Sequence, residues 1–418
     1  QQVEFMHLNG SAEPLLTVSV PQDVYTSATA TVGAASFTCV VLQNGSDTTS
    51  TYAYGYTPNN QATVNLPDAL TVEGGTMAVS LNLQVSQSAS FPSTCAPNGV
   101  AQFSITPTFN LSSMTVAAQP TNTSNGRMTA LEGFVQTAGT EPNSFTVASA
   151  DTANAWEITT GGSTVNSAPT VFRVAANSST VFQGVANLAG LTAGIPVEFD
   201  GDLQPDGSLV ATRVAVADAD TTDLTVNSGP LMFVGASDPV LQQVNREAQG
   251  SEQYVTGWPT YSFGNATFAA WGGLTNTANL PFTPSFTADT VVVGQMASIT
   301  SHVAAVQPWP VYVPAATVTL MPQTVNGTVS AVQTQGGFTV YTLTLAPYDV
   351  FPQFAVQGGQ TTVLTNPTQM VVYADQNAQV VNAGSVSAGN VGRFTGVVFN
   401  DNGTLRMDCT QVMAGVTE

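Results

Sequence analysis

Carboxylates are the residues of this chain best suited to chemistry, and their densest group is Asp200-Gly-Asp202-Leu-Gln-Pro-Asp206-Gly. Three carboxylates within seven residues can supply the hard oxygen ligands that Ca²⁺ prefers. The ligand spacing is incomplete, because no acidic residue stands where a calcium loop places its terminal bidentate Glu. The segment is therefore interpreted as a hairpin between two strands, with metal binding as the lesser alternative. The run Asp218-Ala-Asp220-Thr-Thr-Asp223 is interpreted as a solvated loop.

Other catalytic patterns are weak. His7 and His302 are the only histidines, so the chain has no imidazole cluster for zinc and at most one base for a triad. Ser385-Val-Ser387-Ala-Gly389 is similar to a serine elbow but lacks its first glycine. No glycine-rich phosphate loop follows a strand and opens a helix. The sequence therefore predicts a protein that is not an enzyme and needs no cofactor, and a hydrolase remains the second alternative.

The three cysteines leave one unpaired whatever bridge forms. Cys39 lies in a strand-like run and Cys95 lies between two prolines, which predicts a Cys39–Cys95 disulfide within the first domain. Cys409 alternates with apolar residues in Leu405-Arg-Met407-Asp-Cys409 and is predicted to be a buried small hydrophobe.

The charge balance is unusual. Charged residues make up 8% of the 418 residues, lysine is absent, and six arginines face 26 acidic residues for a net charge of −20. Nucleic acids and anionic membranes bind proteins through Lys and Arg, so neither is an expected partner. No stretch approaches the roughly 18 apolar residues of a membrane helix. A surface with few charges would suit an acidic exterior milieu, and a chain that starts at Gln1 is typical of a mature secreted protein. The expected location is extracellular or on the outer cell surface.

Strands and turns dominate the sequence pattern. Runs such as Phe338-Thr-Val340-Tyr-Thr-Leu343-Thr-Leu345 alternate apolar and polar residues, as half-buried strands do. Asp206-Gly207 and Asn402-Gly403 have the composition of hairpin turns. Only residues 238–247 are predicted to form a short helix.

An internal repeat is the most informative feature of the chain. Leu191-Thr-Ala-Gly194, Gly201, Asp206-Gly207-Ser-Leu209 and Val216 are matched by Val386-Ser-Ala-Gly389, Gly396, Asn402-Gly403-Thr-Leu405 and Val412. A weaker third copy lies between them, where Val291-Val-Val-Gly294 precedes Ile299. Each copy predicts only five or six short strands. Such short repeats are typical of small closed β-barrels, which leave few exposed sheet edges.

The expected fold class is all-β, an N-terminal β-sandwich followed by three tandem small β-barrel domains of the OB type. The expected boundaries are an N-terminal segment at 1–13, the sandwich at 14–118, and barrels at 129–219, 220–322 and 323–418. Residues 220–322 are expected to be the divergent copy.

The repeat resembles a small β-barrel repeat of unassigned function that is common in secreted acidobacterial proteins. Its pattern is Gly-x-Val, Phe-Thr-Val, a hydrophobic-x-x-Gly-x-x-Val strand, Gly, Asp/Asn-Gly-x-Leu and a closing Val, at 130–218 and 325–415. Residues 14–118, ending Phe103-Ser-Ile-Thr-Pro-Thr-Phe109, resemble the β-sandwich domain of unknown function that often precedes it. The resemblance implies a surface location and an all-β architecture, and it brings no catalytic residues.

Two features bear on binding partners. The divergent copy concentrates ten aromatic residues, which would form a large core if buried or a glycan-stacking platform if exposed: Tyr254, Trp258, Tyr261, Phe263, Phe268, Trp271, Phe282, Phe286, Trp309 and Tyr312. The core interpretation is favoured. Eight Asn-x-Ser/Thr sequons make glycosylation possible in a chain so rich in these residues.

The first residues of the chain suggest how copies could associate. Val3, Phe5, Met6 and Leu8 form a short apolar strand ahead of the first domain. Such a strand must pair with a sheet edge, either of its own first domain, which is the favoured alternative, or of a neighbouring subunit. The expected function is a secreted structural subunit of a filament or surface assembly that self-associates. The alternative is an adhesin that binds surface glycans.

Overall fold

The computed structural model describes the following residues: 15, 18–32, 35–43, 47–56, 61–74, 77–88, 101–114, 127–138, 143–149, 154–155, 171–204, 206–220, 222, 224–234, 240–243, 247–248, 252–254, 260–274, 276–302, 312–347, 349–356, 362–381 and 386–414. The chain divides into two compact units. One comprises Thr17–Gly126 and Leu203–Ser208, and the other comprises Gln1–Leu16, Arg127–Asp202 and Leu209–Glu418. We call them the smaller and the larger unit.

The smaller unit contains nine strands and one short helix among its described residues. These are β1 Val24–Tyr25, β2 Ala30–Thr31, β3 Ala35–Gln43, β4 Asp47–Tyr56, β5 Gln61–Asn65, β6 Leu70–Thr71, β7 Ala78–Leu83, α1 Val85–Ser88, β8 Ala101–Ser104 and β9 Thr108–Met114. They form a two-stranded sheet β1-β6, a three-stranded sheet β3-β4-β8 and a four-stranded sheet β2-β5-β9-β7. Several strands in separate sheets fit the all-β prediction.

The larger unit begins with a closed five-stranded barrel. Its strands are β10 Arg127–Ala138, β11 Ser144–Ser149, β13 Val171–Ala175, β15 Pro196–Leu203 and β16 Leu209–Ala215. The same stretch of chain contains β12 Asn154–Ala155, which pairs outside the barrel, β14 Val181–Gln183, which pairs with β16, and a 3-10 turn at Leu188–Gly190. The order β13-β11-β10-β15-β16 is closed by parallel pairing of β13 with β16. Greek-key order with one parallel closure is the plan of an OB-type barrel. We call it the first barrel.

The last described strands form a second closed barrel with the same order. Its elements are β26 Gln323–Gln335, β27 Phe338–Leu345, α2 Val350–Ala355, β28 Gln369–Val381, β29 Val391–Asp401 and β30 Thr404–Met413. The order is β26-β27-β28-β30-β29, and β28 pairs with β30 in parallel. The described residues thus confirm that barrels occur at both ends of the predicted repeat. We call this one the last barrel.

The strands between the two barrels are shorter. They are β17 Thr225–Val234, β18 Val240–Gln243, β19 Glu247–Ala248, β20 Glu252–Tyr254, β21 Thr260–Ser262, β22 Thr267–Ala270, β23 Met296–Ser301, β24 Tyr312–Pro314 and β25 Thr317–Leu320, with a 3-10 turn at Thr277–Asn279. β17 pairs with β18 and β23, β18 pairs with β21, and β21 pairs in parallel with β24. β23 completes the set by pairing with β25. We call residues 224–320 the middle region.

The first barrel, the middle region and the last barrel form three sets of strands, and in each set a glycine turn precedes the fourth strand, which is β15, β23 or β29. Gly194, Gly294 and Gly389 each have a positive φ, between 87° and 95°, and occupy the third position of a four-residue turn. A positive φ there is the requirement of a type II turn, which favours glycine. The glycine N–H donates to the carbonyl of a buried residue in the first strand. The N–H of that same residue donates to the carbonyl of the residue after the glycine. The first-strand residues are Val135, Leu231 and Val329.

The same first-strand residues mark a bulge. The register of each first strand against its second strand shifts just after Val135, Leu231 and Val329. A bulge at the same place in each set bends the strand so that it can pair with two neighbours around a barrel. The turn and the bulge together fix the position of the fourth strand.

The middle region and the last barrel share a hydrophobic core. Val397 and Phe399 of β29 pack in one cluster with Leu231, Ile299 and Val318. Gln295, which is fully buried, accepts from the Val292 N–H at 2.6 Å and donates to the Val398 carbonyl at 2.8 Å. The middle region and the last barrel are therefore joined by packing and by the hydrogen bonds of the buried Gln295 side chain.

Two local predictions need correction or addition. The helix predicted over residues 238–247 is wrong, because β18 and β19 occupy Val240–Gln243 and Glu247–Ala248. Pairing of β18 with both β17 and β21 satisfies its backbone and overrides the local helical pattern. The short helix α2 was not predicted. No helix among the described residues is long and apolar enough to cross a membrane.

Candidate assembly edges and buried ion clusters

Two of the three carboxylates of the suspected calcium loop, Asp200 and Asp202, pair with arginines, and Asp206 accepts from the Ser208 N–H and hydroxyl at 3.0 and 2.5 Å. Asp202 is fully buried and accepts two hydrogen bonds from Arg127, at 2.5 and 3.1 Å. Asp200 accepts from Arg213 at 2.5 Å and from the Ala130 N–H at 2.8 Å. β15 and β16 form the hairpin that the repeat predicted, and the structure gives these carboxylates a structural role.

Arg213 is the centre of a buried ion cluster in the first barrel. Its side chain is 5% exposed and contacts Asp200 and Glu198. The guanidinium also lies 5.2 Å from the ring centroid of Trp271 in the middle region, a cation–π contact. Burial raises the pKa of Glu198 to about 7, although the positive charge of Arg213 acts in the opposite direction. The cluster thus ties the first barrel to the middle region.

The arginines of the last barrel also contact partners within the fold. Arg393 donates to the Asn326 side chain at 2.9 Å, and Asn326 donates to Asp349 at 2.8 Å. Asn326 is one of the eight sequon asparagines, and its burial withdraws this amide from modification. Arg406 pairs with Asp401 at 2.7 Å and lies over the ring of Phe282 at 5.4 Å.

Asp408 is a buried carboxyl without an arginine. Its residue is 6% exposed and its Oδ2 atom has no hydrogen-bond partner in the described structure. Burial, with a smaller contribution from the negative charge of Asp375, raises the pKa of Asp408 to about 7. The neighbouring Cys409 is a free thiol within the core of the last barrel, where burial raises its pKa. A buried neutral thiol is a poor nucleophile, which fits the predicted structural role of Cys409.

The described aromatic side chains of the middle region pack against other apolar side chains and do not form an exposed platform. Tyr261, Phe263, Trp271 and Phe286 are buried, and Phe268 packs edge-on against two of them with ring centroids 5.0 and 5.5 Å apart. Phe282 stacks against Tyr373 and Phe399 of the last barrel. These six residues form a core, as the favoured interpretation predicted. The side chains of Tyr254 and Tyr312, together with Trp258 and Trp309, lie outside the described residues.

His302 follows β23 and contacts the acidic loop that begins at Asp218. Its Nε2 atom is 2.7 Å from Asp218, and its Nδ1 atom is 3.1 Å from the Thr222 carbonyl. The hydrogen bond to the Thr222 carbonyl, followed by that to Asp218, raises the pKa of His302. These contacts attach Asp218 and the Thr222 carbonyl to His302, while Asp220 and Thr222 are exposed.

An open sheet edge lies on β26. The strand pairs with β29 only as far as Thr328, whereas it pairs with β27 as far as Gln335. Residues 330–335 are all exposed, and among the described strands none is registered against their second side. Unpaired edges of this kind are templates for another strand. Sequence reasoning missed this edge, although the long run of strand-like residues around Gly336-Gly337 is a signal for a long hairpin.

A second open edge lies on β7 in the smaller unit. β7 is the terminal strand of its sheet and pairs with β9. Met77, directly before β7, and Val79 and Leu81 within it are alternate residues, each 40–47% exposed. Alternate residues of a strand share one face, so this edge carries an apolar stripe. Among the sheet edges of the described residues, we select these two as candidate interfaces because they are uncharged and exposed.

Two sequence predictions lie outside the described residues. Val3, Phe5, Met6 and Leu8 belong to the first of these, so the donor-strand hypothesis stays a prediction. Cys39 is a residue of β3, opposite Thr51 in β4, whereas Cys95 is not among the described residues. The Cys39–Cys95 disulfide therefore also stays a prediction.

Comparisons of the chain with protein-family models and with curated proteins find no match. In the described part of the chain, no three His, Cys, Asp or Glu side chains are grouped closely enough to hold a metal ion. The sheet edges and the ion clusters are therefore interpreted from their own geometry.

Proposed function

We propose that this chain is a structural protein of the cell exterior, a subunit of a filament or surface assembly held by non-covalent β contacts. The observation that carries the proposal is the pair of open, uncharged sheet edges on β7 and β26. Globular proteins normally protect such edges with lysines, prolines or covering loops, because an open edge accepts strands from other chains.

The distribution of charge supports the proposal. Arg127, Arg213, Arg393 and Arg406 make internal contacts in the larger unit. The surface therefore retains an excess of carboxylates, and two copies of a chain with a net charge of −20 repel each other over most orientations. Contact at an uncharged edge avoids desolvating carboxylates, so the free-energy cost of association is lowest there.

We further infer that the chain consists of an N-terminal β-sandwich at 14–118 and three barrels at 129–219, 220–322 and 323–418. Strand pairing in the middle region supports the barrel at 220–322, because β24 and β25 together pair as a single fifth strand would. They are separated by two residues, β24 pairs in parallel with β21, and β25 pairs with β23. The shared turn and bulge support a common origin for the three sets. Tandem small domains suit an extended structural subunit.

The location at the cell surface belongs to the same proposal. It rests on the low charged fraction and on the resemblance to acidobacterial secreted proteins. The adhesin alternative is less favoured, because stacking on sugars requires exposed rings and the six described aromatic side chains of the middle region are packed into cores.

Light scattering of the full chain as a function of protein and salt concentration tests this function. The particle mass should rise with protein concentration. Because salt screens repulsion between carboxylates, association should strengthen as ionic strength rises from about 0.01 M to about 0.15 M, where the Debye length falls to roughly 8 Å. A constant monomer mass under all conditions would refute the proposal.

A further inference from the structure

In the hairpin formed by β26 and β27, β27 pairs with β28 as far as Thr339, whereas β26 beyond Thr328 has a partner on one side only among the described strands. Its turn consists of Gly336 and Gly337, whose φ values are 59° and 87°. Two successive positive φ values define the type I′ turn, which continues the twist of the two strands and holds the hairpin straight. A Cβ atom built on either glycine would meet no atom within 4 Å, so the tip stands free.

The register identifies which backbone groups face the open side. Gln335 pairs with Phe338 across the two-residue turn, and these residues form a hydrogen-bonded pair. Hydrogen-bonded and non-hydrogen-bonded pairs alternate along an antiparallel ladder. Thr334 and Val332 are therefore members of non-hydrogen-bonded pairs, and their N–H and C=O groups point away from β27. These groups form the acceptor edge of the hairpin.

The acceptor edge has none of the usual protections. Residues 330–335 include no lysine and no proline, and Val332 is 41% exposed. No Asp, Glu, Lys or Arg occurs anywhere in residues 290–348. In a chain with a net charge of −20, this is a segment that can approach its own copy without bringing carboxylates together.

We propose that the acceptor edge pairs antiparallel with the same edge of a second copy of this chain. Val332 lies on the two-fold axis of this pairing, Thr334 of each copy faces Ser330 of the other, and the β26–β27 hairpins of the two copies join in one continuous sheet. An edge that carries no charge is complementary to itself, so both copies can use the same surface. This contact deepens the proposed function and rests on it. Because an isologous contact closes on a dimer, a filament would need a second contact, for which β7 is the candidate.

Proline and lysine at position 332 test the contact. Val332→Pro removes the N–H that points to the open edge and leaves the β26–β27 ladder intact. Val332→Lys places two like charges opposite each other on the two-fold axis. Each variant should raise the protein concentration needed for association by about tenfold or more. Val363→Lys is the control, because it adds the same charge at a loop residue that is 84% exposed.

Cross-linking gives an independent readout. In the antiparallel pairing, two Val332→Cys residues lie opposite each other at a Cα separation of about 5.5 Å, within the range of a disulfide. Mild oxidation should yield a covalent dimer of Val332→Cys, and it should not do so for Val363→Cys.

The outcomes separate the two proposals. If the native chain associates and both position-332 variants associate equally well, the acceptor edge is not the contact, and the assembly function stands. If the native chain never associates, both proposals fail. If the variants lose association while Val363→Lys keeps it, and Val332→Cys cross-links, the pairing is established.

Discussion

The first and last barrels share a strand order, a glycine turn and a bulge, but they bury different chemistry. The first barrel buries an ion cluster, in which Arg213 joins Asp200 and Glu198. The last barrel keeps its arginine pair Arg406–Asp401 partly exposed, and the Oδ2 atom of the buried Asp408 has no hydrogen-bond partner among the described residues. The comparison teaches that turn and bulge set the strand plan, whereas the side chains on the outer faces are free to diverge.

The divergence follows what each barrel contacts. The middle region presents Trp271 to the first barrel, and the indole ring faces the Arg213 guanidinium. It presents Phe282 to the last barrel, where the ring packs against Tyr373 and Phe399. The outer face of each barrel is thus adapted to a different surface of the same neighbour.

Removing one cation from each barrel should give the largest contrast. Arg213→Met leaves two buried carboxylates without their cation and should lower the free energy of unfolding by about 4 kcal/mol. Arg406→Met removes a partly exposed pair and a ring contact, and should cost about 1 kcal/mol. Urea denaturation at pH 8 measures both. Equal losses would show that the ion cluster is no more important than the surface pair.

Matched glycines test how closely the fifth strand approaches the fourth. A Cβ atom at Gly396 would lie 2.2 Å from the Asp408 carbonyl oxygen, whereas one at Gly201 would lie 3.0 Å from the Val210 carbonyl oxygen. Gly396→Ala should therefore cost about 3 kcal/mol and Gly201→Ala about 1 kcal/mol. Thermal unfolding of the two variants gives the comparison. A larger loss for Gly201→Ala would contradict the packing described here.

Asp408 should make the last barrel sensitive to pH. Its pKa in the folded state is about 7, above the unfolded value near 4, so the folded state binds the extra proton. The contribution of this proton to the free energy of unfolding is fully present below pH 4 and is lost as the pH rises to 7. Asp408→Asn should therefore be more stable than the native chain at pH 8, by about 2 kcal/mol, with a smaller gain at pH 5.

Chemical denaturation at the two pH values measures this gain. Asp375→Asn serves as a control, because it removes the nearby charge and keeps the buried carboxyl. It should lower the pKa of Asp408 and shift the loss of stability to lower pH. A native-like pH profile for Asp408→Asn would show that another group titrates.

Sequence reasoning succeeded where the structure depends on local geometry. The glycines at 194, 294 and 389 are required by a turn of a few residues, so their spacing reveals the repeat directly. It failed where partners are distant in sequence. Asp202 is paired with Arg127, which lies 75 residues away, and the residues around Asp202 in the sequence do not indicate which arginine binds it. In a lysine-free chain, each of the six arginines could have been suspected of a structural pair.

The divergence of the middle region also has a physical explanation. Position 301 carries serine where the other two copies carry Gly201 and Gly396, so the most visible marker of the repeat is missing there. The buried Ser301 hydroxyl donates to the Pro314 carbonyl, at the end of β24, which is one half of an interrupted fifth strand. The relation becomes clear only from strand pairing, which a single sequence does not display.

Electron microscopy of the full chain, concentrated at about 0.15 M salt where charge repulsion is screened, tests the central claim most directly. The account predicts ordered assemblies in which copies meet through sheet edges, with the β26–β27 hairpins of two copies joined in one sheet. Monodisperse particles of single-chain size, or assemblies whose copies meet only through other surfaces, would contradict it.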